Sequence, residues 1–353
     1  MKLVETDPNS GAEIYQLIDD PRPADNIYGE QPYSSADGSR VTIRYYPQND
    51  QDGGLSFLDL TDGSLHTVLA EAPRFPAFHA WGEHLYYQQQ DGDALVLKRC
   101  NYQTLEKEDI ATLPTEEGRF SYGTMSQDGR YYAASVHPEG GSSKVWCTDL
   151  STGKSNTLAQ RDDYHFKHEQ FSLDGNNRIL IQANKMPDVK FVHLGALEPD
   201  REGITWFPVD RPHTPRPTGH EAWIGTTDYI FISTGQDEDS EGNVWTAGLR
   251  DNAPNLVSKT SQRFGHVSVS HCGRYWIGDA TQEENIPIHI GSLESGRHKC
   301  LVLSRTEHDD NQWSHTHPYM TSDNAWLIYT SNRSGHPQVY GAKIPQEFLD
   351  SLS

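Results

Sequence analysis

Cysteine is scarce: Cys100, Cys147, Cys272 and Cys300 are the only four in 353 residues, far apart and never in a C-x-x-C pair. That spacing excludes a zinc knuckle and a dense disulfide framework. No apolar run reaches the roughly 18 residues that a membrane-crossing helix needs. The opening "MKLVETDPNSGAE" also lacks the apolar core of a secretory leader. A soluble, cytoplasmic protein is the expectation, although a chain relieved of its leader would read the same.

Positive charge is short as well. There are 29 basic against 50 acidic side chains, a formal charge of −21, and no Lys/Arg-rich run. Such a chain repels nucleic acid and anionic membrane surfaces, so neither is an expected partner. A small acidic ligand is still admissible, because surface fields fade over roughly 8–10 Å at physiological salt. It would need a local positive focus, and a metal ion is one. Nucleotide and serine-hydrolase motifs are missing too: no Walker loop, no G-x-G-x-x-G before a helix, no G-x-S-x-G elbow. The acidic "GQDEDSEGN" lacks calcium-loop spacing and reads as a solvated hairpin tip.

What is present is aromatic and repetitive. With 8 Trp, 17 Tyr and 11 Phe, the chain is not a disordered acidic polymer, despite 35% hydrophobic content. Several segments share one grammar, a strand, a D-G-like turn and an alternating strand. "YSSADGSRVTIRYY", "YGTMSQDGRYYAASV", "FSLDGNNRILIQA", "VSVSHCGRYWIGDA" and "YMTSDNAWLIYTS" are examples. The repeat recurs about every 45–50 residues, the length of a four-stranded propeller blade. Inner strands open near Tyr33, Phe78, Tyr122, His168, His220, His266 and His317. These predict an all-β, seven-bladed propeller as a single domain over 1–353. "SGAEIYQLI" has no blade of its own and is expected to complete the last one. Only "PQEFLDSLS" suits a short helical turn.

The histidines fall on this frame in a pattern. His168, His220 and His266 occupy comparable places near the start of inner strands, and His315 and His317 open the next blade. Inner strands line the channel, so residues far apart in sequence converge on one funnel. An H-x-H pair on a regular strand points its rings to opposite faces. A bend at the strand entrance could bring both to one ion, with His266 and a carbonyl from Gln312 completing the set. Imidazole suits zinc, copper, iron, nickel and manganese. His220, close by and unligated, is a natural general base. His66, His84, His137, His193, His289, His298 and His336 read as surface residues.

The motifs "GHEAW", "GHVSVS…GRYWIGDA", "YGTMSQDG" and above all "QWSHTHP" resemble those of the oligogalacturonate lyases, seven-bladed propellers that split short pectin oligomers by β-elimination. The likeness runs from "SGAEIYQLI" to "SGHPQVYGAKIP". It implies a metal-dependent carbon–oxygen lyase acting on an acidic oligosaccharide. It implies Mn²⁺ held by His266, Gln312, His315 and His317, with His220 abstracting the proton, His168 as a second active-site histidine and Tyr122 against the substrate. Two departures stand out. The family's carboxylate-recognising arginine shortly after the His168 position is absent, and "HEQFSLDG" offers Ser172. The family's basic stretch before the first blade is here "ADNIYGEQPY", without Lys or Arg. Arg216 and Arg263 are then the candidate replacements. Lyase chemistry on a glucuronate-containing chain, a metal-dependent hydrolase using Asp279, and a non-catalytic interaction propeller are the competing readings.

Overall fold

The computed structural model describes residues 1–48, 51–71, 75–139, 142–187, 191–307 and 314–353. They form seven antiparallel sheets, taken here as blades 1 to 7 in chain order. Strand Ala24–Asp25 is the innermost of blade 1, Phe75–Ala77 of blade 2, and Arg119–Phe120 with Thr124–Met125 of blade 3. Tyr164–Phe171, Pro217–Trp223, Val267–Val269 and Tyr319–Met320 hold that place in blades 4 to 7.

Ring closure follows the expected route. Glu13–Gln16, inside "SGAEIYQLI", pairs with Gln338–Lys343 in the register Ile14 to Ala342 and Tyr15 to Gly341. Lys2–Thr6 then adds a fifth strand outside it, which the repeat did not announce. Val41 and Ile43 of blade 1 pack with Trp326, Ile328 and Val339 of blade 7, so one apolar cluster spans the join. The short helix Gln346–Asp350 buries Phe348 and Leu349 against blades 6 and 7. No helix is long and apolar enough to cross a membrane.

The economical composition is explained by where the apolar residues go. Second strands are covered by neighbouring blades on both faces, so "WLIYTS" at Trp326–Ser331 is buried throughout. Fourth strands lie at the rim, and Lys154–Arg161 is exposed except at Leu158 and Ala159. One histidine departs from its expected surface place. His289, on the third strand of blade 6, is buried, with Nδ1 3.1 Å from Nδ1 of His298.

The turn between first and second strands has a chemical repeat. In blades 1, 3, 4 and 7 a Ser or Thr is followed two residues later by Asp: Ser35–Asp37, Ser126–Asp128, Ser172–Asp174 and Thr321–Asp323. Each hydroxyl donates to that carboxylate and accepts the N–H that opens the next strand, as Arg40 and Tyr131 do at 3.0 and 2.9 Å. The carboxylate takes the N–H two residues on, at 3.0 Å in all four turns. Ser172 is therefore a turn residue, and its hydroxyl is spent on Asp174 and Arg178.

Candidate metal centre and active site

Upstream of these turns, within the inner strands of blades 1, 4 and 5 and just ahead of that of blade 7, the regular backbone breaks down. In blade 1 Asp25 pairs with Arg44 and Ser34 with Val41, so the intervening segment must leave the ladder. In blade 4 the register shifts between Lys167 and Gln170, and His168 has a φ of 60°. In blade 5 it shifts between Pro217 and Glu221, across Gly219 and His220. His317 has a φ of 41° just ahead of the blade 7 inner strand. Extra residues of this kind re-aim side chains that a regular strand would send elsewhere. For His317 the positive φ supplies the bend that an H-x-H pair needs.

Side-chain nitrogens of His266, His315 and His317 all lie within 4.8 Å of one another. His266 is oriented from behind. Asp279 accepts its backbone N–H at 2.8 Å and its Nδ1 at 2.7 Å, and the same carboxylate takes the Thr316 hydroxyl. Burial works against a charged His266, but the charge and hydrogen bond of Asp279 outweigh it and raise the pKa. Asp279 thus turns Nε2 toward the cluster, where Nδ1 of His315 sits 3.2 Å away. An outer carboxylate on a ligating imidazole is the usual support for a metal site.

The surroundings of His317 suit an ion. Among the described residues, both ring nitrogens of His317 are buried without a hydrogen-bond partner. Burial, followed by the neighbouring His266 and His220, holds its pKa well below the usual histidine value. A neutral imidazole left unpaired costs about 1–3 kcal/mol, and a cation shared with His266 and His315 satisfies it. Three imidazoles without thiolate suit a divalent transition metal. The segment around His317 is tightly held: Asn26 donates to its carbonyl at 2.7 Å, and a Cβ on Gly29 would lie 2.7 Å from its carbonyl carbon. Gln312, the expected fourth ligand, lies outside the described residues.

His220 stands beside this cluster, its ring centroid 4.6 Å from that of His266. Nδ1 is engaged by the buried Glu30 carboxylate, which leaves Nε2 as the nitrogen for other work. His168 is near but distinct. Tyr28 lies between it and His317, with ring centroids 5.2 and 4.5 Å away, and its hydroxyl is 3.3 Å from His168 Nε2. On the other side, His168 Nδ1 is 3.4 Å from Glu221. Burial lowers the His168 pKa to about 3 and, with Glu30, raises that of Glu221 to about 8.

A cavity of about 330 Å³ opens against His168 and His317. Tyr122 lines it, and its hydroxyl accepts from Arg44 at 3.0 Å. The cations on its wall are Arg44 and Lys167; Arg216 and Arg263 do not line it. Arg44 forks onto the buried Asp25 at 3.0 and 2.6 Å.

Tyr28, Glu30, Gln31, Arg44 and Lys167 escaped the reading of the sequence. Four of them come from blade 1 or from the "ADNIYGEQPY" excursion that precedes its second strand. A signal was available: placing the inner-strand opening near Tyr33 left that stretch with no strand to belong to.

No protein-family model matches the chain. It is 22% identical over 217 residues to an oligogalacturonide lyase of Pectobacterium atrosepticum, 56% of this chain and 54% of that protein. It is 20% identical over 218 residues to an oligogalacturonate lyase of Dickeya dadantii, with the same shares covered. The match thus spans about half the length of these relatives. The fold superimposes on a solved oligogalacturonate lyase in complex with manganese at a TM-score of 0.77 and 17% identity, over 99% of this chain and 98% of that one. At that identity the structural likeness establishes the seven-bladed ring and leaves the activity to be argued from the site.

Proposed function

We propose that the chain, acting as one propeller unit, is a metal-dependent lyase that cleaves short uronate oligosaccharides by β-elimination to 4,5-unsaturated products. One observation carries the reading: three imidazoles face a common point, and a fourth, His220, stands beside them with its Nδ1 held by a carboxylate. The named relatives and the manganese-bound neighbour support the same class of chemistry.

His266, His315 and His317, with Gln312, would hold the ion, most simply Mn²⁺. When bound it supplies Lewis-acid offset of the negative charge that builds on the substrate carboxylate, worth several kcal/mol. Glu30 keeps the His220 proton on Nδ1, so Nε2 carries the lone pair that takes the C5 proton. The C5–H electrons become the C4–C5 double bond, and the C4–O bond breaks. The departing oxygen takes its proton from water or a nearby acid: His168 touches the Tyr28 hydroxyl and is backed by Glu221, whose pKa burial raises to about 8, so that this carboxyl can hold a proton at neutral pH. A positioned base of this kind contributes about 10²–10⁴-fold.

The sugar is less narrowly defined than the chemistry. Ser172 is consumed by its turn, so no arginine-like group faces the cavity from that position. This favours, as the second reading, the same elimination on a glucuronate-containing oligosaccharide.

The test is direct. With Mn²⁺ and oligomers of galacturonate or glucuronate, the protein should generate a UV-absorbing conjugated product. His220→Ala should lower that rate by at least about 10²-fold with metal content unchanged. Absence of product from every uronide, or full activity in chelator, overturns the reading.

A further inference from the structure

Resting on the lyase reading, we propose that Lys167, beside the Arg44-anchored Tyr122, forms a carboxylate-binding subsite for the sugar ring next to the reacting one. The protein would then select ligands with acidic groups on two successive rings.

The cavity offers a place for such a ring. Its volume of about 330 Å³ is at the lower end of the range for small-molecule sites, roughly 300–1,000 Å³. Tyr28, Tyr46 and Tyr122 give it aromatic walls, and its inner side is formed by His168 and His317. A ligand there adjoins the metal-ligand cluster without occupying it.

The charges single out one residue. Arg44 is offset by Asp25, whose carboxylate also accepts the Tyr46 hydroxyl at 2.8 Å. It serves to hold Tyr122. Glu169 lines the cavity too, but its carboxyl is turned to the hydroxyls of Ser121 and Ser135. Burial raises its pKa, which lessens its charge toward an acidic ligand. Lys167 remains. Among the described residues its ammonium has no hydrogen-bond or ion-pair partner, and it is half-buried at the cavity wall.

Its placement is a product of the local backbone. Lys167, His168 and Glu169 all face the cavity, where a regular strand would send the middle one to the other side. The register shift and the positive φ of His168 make this possible. A lysine is a compact point charge with three donors, suited to one carboxylate on a ring stacked against tyrosine.

Binding tests the subsite apart from turnover. A digalacturonate, the matching glucuronate disaccharide and the mono-methyl esters of each would be titrated calorimetrically into the full-length chain in chelator. With the wild type, esterifying one particular ring should weaken binding about tenfold. Lys167→Met should remove that difference while Lys167→Arg keeps it, with melting curves confirming that both fold. A difference that persists in Lys167→Met overturns the proposal, as does failure of both diacids to bind the wild type. Elimination is then followed separately with Mn²⁺. Lys167-dependent binding without product leaves the subsite standing and removes the lyase reading. Product with a Lys167-independent ester effect does the reverse.

Discussion

The two ends of the same inner strands obey different rules. At the hairpin end, Ser35, Ser126, Ser172 and Thr321 satisfy their own hydroxyls, a carboxylate and the next strand's N–H within a few residues. Toward the funnel, pairing slips in blades 1, 4 and 5, and His168 and His317 adopt the positive φ that in the hairpin turns falls to glycine and to Asn177 and Asn324. Buried groups there make no hydrogen bond among the described residues: both nitrogens of His317, Oε2 of Glu221 and Oε2 of Glu30. In the four hairpin turns the hydroxyls and carboxylates are paired, although among the described residues Asn324 Oδ1 is left without a hydrogen bond, so the several orphans gathered around the histidines call for a reason of their own. Unsatisfied buried groups signal a ligand absent from the account, and local rules give way at functional sites.

The sharpest way to break this comparison is at His317. If its orphaned nitrogens await an ion, Mn²⁺ should raise the unfolding free energy of the wild type by about 2.7 kcal/mol at a hundredfold excess over the dissociation constant, and the unfolding midpoint with it. His317→Ala should show almost none of that gain and should retain little metal after desalting. Equal Mn²⁺-induced shifts in both proteins would mean that the cluster does not bind the ion. A smaller effect is expected one layer out, at Asp279. Asp279→Asn keeps the shape but offers a weaker acceptor to His266, and outer partners of this kind are worth about 10–100-fold in metal affinity. Competition with a metallochromic indicator measures it. An unchanged affinity would make Asp279 a packing residue.

The contrast also explains what could be read in advance. Hairpins advertise themselves, because Asp-Gly, Ser-Gly and Asn occupy turn positions that demand them. Repeated about every 45–50 residues, such turns define the ring, and with the blades in place His266, His315 and His317 are bound to converge. Convergence of His220 followed from the same logic. The partners of these histidines were hidden for a physical reason. Nothing in "ADNIYGEQPY" marks a strand that leaves its ladder and returns, so Tyr28 and Glu30 had no assigned face. Lys167 reaches the cavity only through the left-handed backbone at His168, a conformation that its residue type does not announce. Ser172, the residue found where the arginine is missing, was legible as a turn serine once set beside Ser35 and Ser126.

Blade 6 sharpens the comparison from the hairpin side. There Ser270 still accepts the N–H of Tyr275, at 3.1 Å, but the position held by Asp in blades 1, 3, 4 and 7 is Cys272. Its sulfur lies 3.3 Å from the Ser270 hydroxyl and receives the Asn324 amide at 3.6 Å, both weak pairings. The backbone is otherwise ready, since Gly273 has a φ of 69°, matching Gly129 at 69° in blade 3. Cys272→Asp should therefore give Ser270, Asn324 and the Arg274 N–H a better acceptor. The residue is exposed, so the gain should be modest, about 0.5–1 kcal/mol for a hydrogen bond exchanged with water. Equilibrium denaturation reads it, and metal content and elimination rate should not move, because this turn lies at the far end of the strand from the funnel. A loss of stability would show that the carboxylate does not organise these turns. A change in metal affinity would show that the two ends of the strand are coupled, and the division between a self-satisfied end and a ligand-dependent end would no longer hold.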